Sequence, residues 1–155
     1  MSEAALLAVD VGTSSIKVTA FDLSGGLLAA RRAGTPTCQY PDGRAEHDVD
    51  VLWGTVADLV RRVVAALPGH GVAAVAVASV GEAGVPLDAD GAPVRPAFAW
   101  FDARGGEAAA WWREAAGIER LYAITGQPLD SFYSVNRLLW MRASEPAAFA
   151  RTRHW

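Results

Sequence analysis

Three short clusters hold side chains whose types and spacing could do chemistry. The first is DVGTSSIK, residues 10–17. Gly12 permits a tight turn that leaves backbone N–H groups free, and consecutive N–H groups in such a turn form a concavity for anions. Thr13, Ser14 and Ser15 add three hydroxyls, and Lys17 adds a point charge close to the same turn. Asp10 precedes the glycine by two residues, where a carboxylate suits Mg²⁺ held largely through water. Together they offer a phosphate cradle with a metal carboxylate. A plain Gly-Thr-Ser hairpin turn accounts for the same residues. No GxxxxGK[ST] motif occurs, which argues against a P-loop nucleotide site.

The second cluster is ASVGEAG, residues 78–84, with Glu82 between Gly81 and Gly84. A carboxylate just past the carboxyl end of a strand is well placed for ligand hydroxyls; the alternative is a solvated turn glutamate. The third is AWFDARGG, residues 99–106. Trp100 offers a flat apolar wall for a sugar or polyol, and Asp102 and Arg104 could bond hydroxyls or each other. The structural alternative is a buried tryptophan with Asp102 capping a helix that begins near Arg104.

The elements that must position these clusters follow from periodicity. Residues 6–12 and 15–22 read as strands, the second with Ile16, Val18 and Ala20 on one side. A turn at 22–26 leads to a third strand over 27–33, which completes an antiparallel meander. Residues 34–48, rich in Gly, Pro and Asp, read as a loop. Leu52, Val56, Leu59, Val60, Val63, Val64 and Leu67 fall at helical spacing, behind a cap at Asp48 or Asp50 and before Pro68-Gly69. The continuous apolar run 72–80 predicts a buried strand, and 84–94 a further strand into an Asp-Gly turn. The last third is helical, with one helix over 107–117 and another capped by Ser134 and stopped by Pro146. Trp111, Trp112 and Trp140 lie on these helices and read as core. Meander, helix, strand is a mixed α/β signature.

Composition narrows the class. The 155 residues are 52% hydrophobic and 20% charged, enough apolar material for a sizeable core in one domain. Fourteen Lys and Arg against 17 Asp and Glu give a charge of -3, which argues against a nucleic-acid partner. The single cysteine, Cys38, excludes a disulfide framework and fits a reducing, cytoplasmic compartment. No apolar run is long enough for a membrane span, and the first residues lack the features of a signal peptide. His47, His70 and His154 show no zinc-ligand spacing. A large apolar residue, Trp155, ends the chain with no polar tail, so the intact protein is expected to continue.

Five blocks, in this order, resemble the N-terminal part of the FGGY carbohydrate kinase family, which includes xylulokinases, gluconokinases and glycerol kinases: LLAVDVGTSSIKVTAFD, PDGRAEHDVDVLW, ASVGEAGVPLD, PAFAWFDARG, and TGQPLDSFYSVNRLLWM with Pro146 after it. The resemblance implies an α/β, actin-like (ribonuclease H-like) domain. Residues 1–155 would form a partial N-terminal domain, incomplete on its C-terminal side, with the second domain absent. It implies transfer of the γ-phosphoryl group of ATP to a sugar or polyol hydroxyl. Asp10 would help hold Mg²⁺, with Gly12, Thr13, Ser14, Ser15 and Lys17 at the phosphates. Glu82, Trp100 and Asp102 would bind substrate, and Phe132 falls where glycerol kinases carry a substrate-contacting tyrosine. The partner implied is a sugar or polyol, with no nucleic acid and no membrane; a homodimer of the intact protein is allowed.

This sequence also departs from its likenesses. Ser79-Val80-Gly81 stands where glycerol kinases carry Asn-Gln-Arg, and Gly81-Glu82 where xylulokinases favour Met-His, so the substrate implied is a pentose, hexose or related sugar. Family members are much longer. Their catalytic aspartate, second phosphate motif and adenosine motif lie downstream, so no catalytic residue is assigned here and the chain alone is expected to be inactive. The rival expectation is a non-catalytic sugar- or nucleotide-binding module of the same fold.

Overall fold

In the computed structural model, which describes residues 3–155, the expected meander is present. Strand β1 (Glu3–Val11) turns Ala5, Leu7 and Val9 inward, and β2 (Ser15–Asp22) buries Ile16, Val18 and Ala20 completely. Antiparallel register sets Leu7 opposite Ala20, Val9 opposite Val18 and Asp10 opposite Lys17. Strand β3 (Leu27–Gly34) follows the turn in which Asp22 Oδ1 accepts from the Ser24 and Gly26 amides, with Gly25 at φ 88.

Two short strands interrupt the segment read as a loop: β4 (Cys38–Gln39) and β5 (Ala45–His47). They are too short to show periodicity. Helix α1 (Val49–Val64) comes next and packs on β2 and β3, burying Leu59 and Val63 against the inward side chains of β1 and β2. Leu67 joins that core from beyond the helix, whereas Val64 points outward, 44% exposed. The chain then enters β6 (His70–Ser79), which runs parallel to β1 and gives the sheet order β3-β2-β1-β6. A parallel neighbour requires such a crossover, and α1 supplies it.

The expectation that this apolar run is buried is overturned. Strand β6 is the sheet edge, with Val75 57% and Val77 69% exposed. An unbroken apolar run signals a strand made to be covered on both faces. Helix α1, however, lies over β2 and β3, away from that edge.

The described residues form two compact units. The first holds the residues up to Pro36 with Val49–Val80; the second holds Thr37–Asp48 with Gly81–Trp155. In the second, β4, β5 and β7 (Ala97–Phe98) make a small antiparallel sheet. A single 3₁₀ turn at Ala103–Gly105 leads to α2 (Gly106–Ala116), α3 (Ile118–Thr125), α4 (Ser134–Ser144) and α5 (Pro146–Arg151). The strand expected over 84–94 is absent. Leu87 makes isolated bridges to Pro93 and His154, and Asp88 Oδ1 closes a turn on the Asp90 and Ala92 amides. Two prolines, Pro86 and Pro93, deny that stretch the donors a ladder needs. Pro146 ends one helix by starting the next, at its first position. Trp111 is 52% exposed, so the core reading fails for it. No helix among the described residues is long and apolar enough to cross a membrane.

Candidate functional site

The sequence-predicted residues divide between the two units. Asp10, Gly12, Thr13, Ser14, Ser15 and Lys17 lie in the first; Glu82, Trp100 and Asp102 lie in the second.

In the first unit, residues 12–14 form the hairpin that joins β1 to β2. The Gly12 amide donates to the Ser15 carbonyl at 3.0 Å, and a Cβ at position 12 would lie only 3.0 Å from that same oxygen. A side chain at position 12 would crowd that carbonyl, so glycine suits the tightness of the turn. The Thr35 hydroxyl donates to the Gly12 carbonyl at 2.7 Å, and the Thr35 amide to the Ser14 carbonyl at 3.2 Å, so the end of β3 buttresses the turn from one side. Thr13 and Ser14 are exposed at its tip, and Asp10 and Lys17 are exposed as a directly opposed cross-strand pair of opposite charge. The donors fit an anionic phosphate chain. Among the described residues no three His, Cys, Asp or Glu side chains are grouped to hold a metal. A cation at Asp10 would therefore draw its other ligands from phosphate and water, which is the habit of Mg²⁺.

In the second unit, Glu82 takes a left-handed backbone conformation, φ 57, which only it adopts among the described non-glycine residues. Its Oε2 accepts two hydrogen bonds from Ser134, one from the amide and one from the hydroxyl, each 2.7 Å. Ser134 is thus not the side-chain cap expected of it. Tyr133 occupies the cap position without a side-chain bond, and the Glu82 carboxylate satisfies the helix end. A carboxylate suits that end, where the helix carries partial positive charge. Glu82 and Ser134 both line a cavity of about 530 Å³, with Trp112, Ile124, Tyr133 and Asn136 among its other walls.

Trp100, 40% exposed, sits edge-on to Phe101 and to Phe132, ring centroids 5.7 and 6.4 Å apart. The short segment 132–134 therefore touches Trp100 through Phe132 and Glu82 through Ser134. Nothing in the sequence marked it as the link.

Asp102 has a different setting. Its side chain is fully buried. Oδ2 accepts from the Ala45 amide at 2.7 Å and from Arg104 Nη2 at 2.7 Å; Oδ1 accepts from the Arg104 amide and Nε, both at 2.9 Å. Of the two options open in the sequence, Asp102 and Arg104 bond each other. The capping role is also real, since Asp102 caps the 3₁₀ turn. Burial alone would raise the Asp102 pKa, but the Arg104 side chain and the Ala45 and Arg104 amides overcome it and hold the carboxyl below the usual aspartate value.

Around this pair lies a buried ionic network that sequence reasoning missed. Arg104 Nη2 also meets Glu46 Oε1 at 2.7 Å, Arg95 pairs with Glu46 and with Glu145, and Arg137 Nη1 stands 3.5 Å from Asp102 Oδ1. The guanidinium carbons of Arg95 and Arg104 lie 4.1 and 4.6 Å from the Phe98 ring centroid. Burial lowers the pKa of Arg95 and of Arg137; for Arg104 the Asp102 and Glu46 hydrogen bonds outweigh it and raise the value. Arg137 Nη2 donates to the Trp100 carbonyl at 3.2 Å, so α4 fixes the tryptophan's backbone as well as Glu82. Only the order of residues along α4, with Ser134 and Arg137 one turn apart, hinted at this pairing.

Residues 5–155 match the model of the FGGY family of carbohydrate kinases, N-terminal domain. A probable L-xylulose kinase of Haemophilus influenzae is 29% identical over 146 residues, covering 92% of this chain and 30% of that protein. A glycerol kinase of Paraburkholderia phytofirmans is 27% identical over 156 residues, covering 99% of this chain and 31% of its own length. Among solved structures, a gluconate kinase from Lactobacillus acidophilus superposes with a TM-score of 0.91 at 22% identity, over 97% of this chain and 30% of that one. The chain spans less than a third of the length of these relatives.

Proposed function

The chain belongs to the FGGY family of carbohydrate kinases and has its actin-like α/β fold, and we propose that the intact protein transfers the γ-phosphoryl group of ATP to a hydroxyl of a sugar or polyol. The observation that carries this reading is the pairing, in one unit, of a half-exposed tryptophan face with a carboxylate that has one oxygen already held. Trp100 and Glu82 are tied to the same short segment, 132–134. An apolar ring and an acceptor oxygen held by one short segment suit a molecule that carries both C–H and O–H groups.

In this reading Trp100 packs against the sugar's C–H face and Glu82 accepts from a hydroxyl. Asp102, whose oxygens are engaged, acts as a positioning residue: it locks Arg104 and strand β5 beneath the Trp100 loop. On the other unit, the exposed hydroxyls of Thr13 and Ser14, together with Ser15, Gly12 and Lys17, bind phosphate oxygens. Asp10 helps hold Mg²⁺, which when bound supplies positive charge to the phosphates. In the transfer the sugar oxygen bonds to the γ-phosphorus, the bond from that phosphorus to the bridging β,γ-oxygen breaks, and ADP leaves. The hydroxyl proton passes to a base that we place outside these residues. Transfer of this kind depends on positioning and charge. The 155 residues alone are therefore expected to bind ligand weakly and not to turn over. With a single cysteine, Cys38, fitting a reducing compartment, we place the protein in the cytoplasm.

The test is an ADP-release assay of the intact gene product against pentoses, hexoses and polyols, beside the 155-residue chain. Sugar-dependent release by the intact protein and none by the chain is expected. Absence of release with every sugar, while ATP or sugar still binds by calorimetry, would replace the kinase reading with a binding module.

A further inference from the structure

Resting on the reading of Glu82 as a sugar ligand, we infer that Ser134 is a positioning residue that fixes one oxygen of Glu82 so that the other is presented to the substrate hydroxyl. Both donors of Ser134 converge on Oε2 at 2.7 Å. No hydrogen bond among the described residues reaches Oε1. A glutamate has three side-chain torsions, and leaving them free would lose orientation each time substrate binds. Two short charge-assisted bonds to one atom remove that freedom.

The setting supports a held ligand more than an ordinary helix cap. Caps normally come from the residue before the helix, and here Tyr133 makes none. The carboxylate arrives instead from a distant turn, in the left-handed conformation that a glutamate does not favour. Ser134 anchors the far end of that same side chain. Arg137, one turn further along α4, lies close enough for Glu82 to act on its charge, and it also holds the Trp100 carbonyl. One helix end thus sets the carboxylate and the aromatic wall together.

The experiment is a double-mutant cycle in the intact gene product, reading the KM of the sugar that releases most ADP, the ATP KM, kcat and the melting temperature. Ser134→Ala is expected to raise sugar KM about tenfold, as loss of a hydrogen bond to a charged group does. The ATP KM and kcat should stay within about twofold. Ser134→Thr should restore most of the affinity. In the Glu82→Gln background the same Ser134→Ala change should have little further effect on sugar KM. If Ser134→Ala does not fold, Ser134→Gly, which keeps the amide and loses the hydroxyl, takes its place in the cycle. Sugar KM unmoved by loss of the hydroxyl while Glu82→Gln raises it, or a full penalty for that loss on top of Glu82→Gln, overturns the role of Ser134 and leaves the sugar site standing. Sugar KM unmoved by Glu82→Gln overturns both.

Discussion

The buried carboxylate of Asp102 accepts a hydrogen bond of 2.7 Å from the amide of Ala45, 57 residues earlier in the chain. This bond ties the 3₁₀ turn after Trp100 to strand β5, and Arg104 adds Glu46 of the same strand to the join. A bond between such distant segments is made only in the folded state, so its loss is felt in stability before it is felt in chemistry.

Asp102→Asn should therefore destabilise the chain by about 3–5 kcal/mol, the range for removing one partner from a buried ion pair. It also changes the response to acid. The folded-state pKa of Asp102 lies below its unfolded value, so its contribution is complete above about pH 4 and is lost as pH falls through the lower folded value. Urea midpoints measured from pH 6 down to pH 2 should fall less steeply for Asp102→Asn than for the native chain. Parallel slopes would mean that other carboxylates carry the acid response.

Gly105→Ala tests the packing under the 132–134 segment. Gly105 has an ordinary φ of -92, so alanine suffers no backbone penalty. Its Cβ, however, would collide with the Ser131 carbonyl oxygen and stand 3.1 Å from Arg137 Nη1. A loss of about 1–3 kcal/mol is expected from such overpacking, with a raised sugar KM in the intact protein because Phe132 and Ser134 must shift. Thermal melts and sugar titrations check the two parts separately.

The two units should give different kinetic signatures in the intact protein. With Asp10 proposed to act at the phosphates, Asp10→Asn is expected to lower kcat by at least tenfold with little change in sugar KM. Trp100→Ala should instead raise sugar KM, with a smaller effect on kcat. Steady-state kinetics in both substrates decide this. A Trp100→Ala enzyme with native sugar KM would remove Trp100 from the sugar site.

Strand β6 should make the 155-residue chain prone to association. An exposed apolar edge is a template for pairing, and Val75 and Val77 present one. Val77→Lys is expected to lower the apparent mass at high concentration without lowering the melting temperature, as read by light scattering beside a thermal melt. Unchanged association would place the contact elsewhere.

Much of this was legible in the sequence because it rests on local periodicity. Alternation in β2, the i, i+4, i+7 pattern of α1 and the Gly12 turn are consequences of side-chain direction and backbone sterics over a few residues. The order of the five motif blocks carried the family in the same way, and the match over residues 5–155 agrees with it. What stayed hidden was pairing between segments far apart in the chain. Ala45–His47 is a strand because Ala97–Phe98, some 50 residues later, lies alongside it, and Cys38–Gln39 pairs in turn with Ala45–His47. The run at 72–80 reads as buried, yet burial depends on what else packs against it. Ser134 reads as a cap, yet the donor set of a helix end is satisfied by whichever acceptor the fold brings there, and here that is Glu82, 52 residues away. Asp102 reads as able to meet a hydroxyl, to pair with Arg104 or to cap a helix, and the fold decides for Arg104, the 3₁₀ cap and the distant Ala45 amide. Residue types and spacing determine which groups are available; which of them meet is a free-energy choice made by the whole chain when it closes those distances.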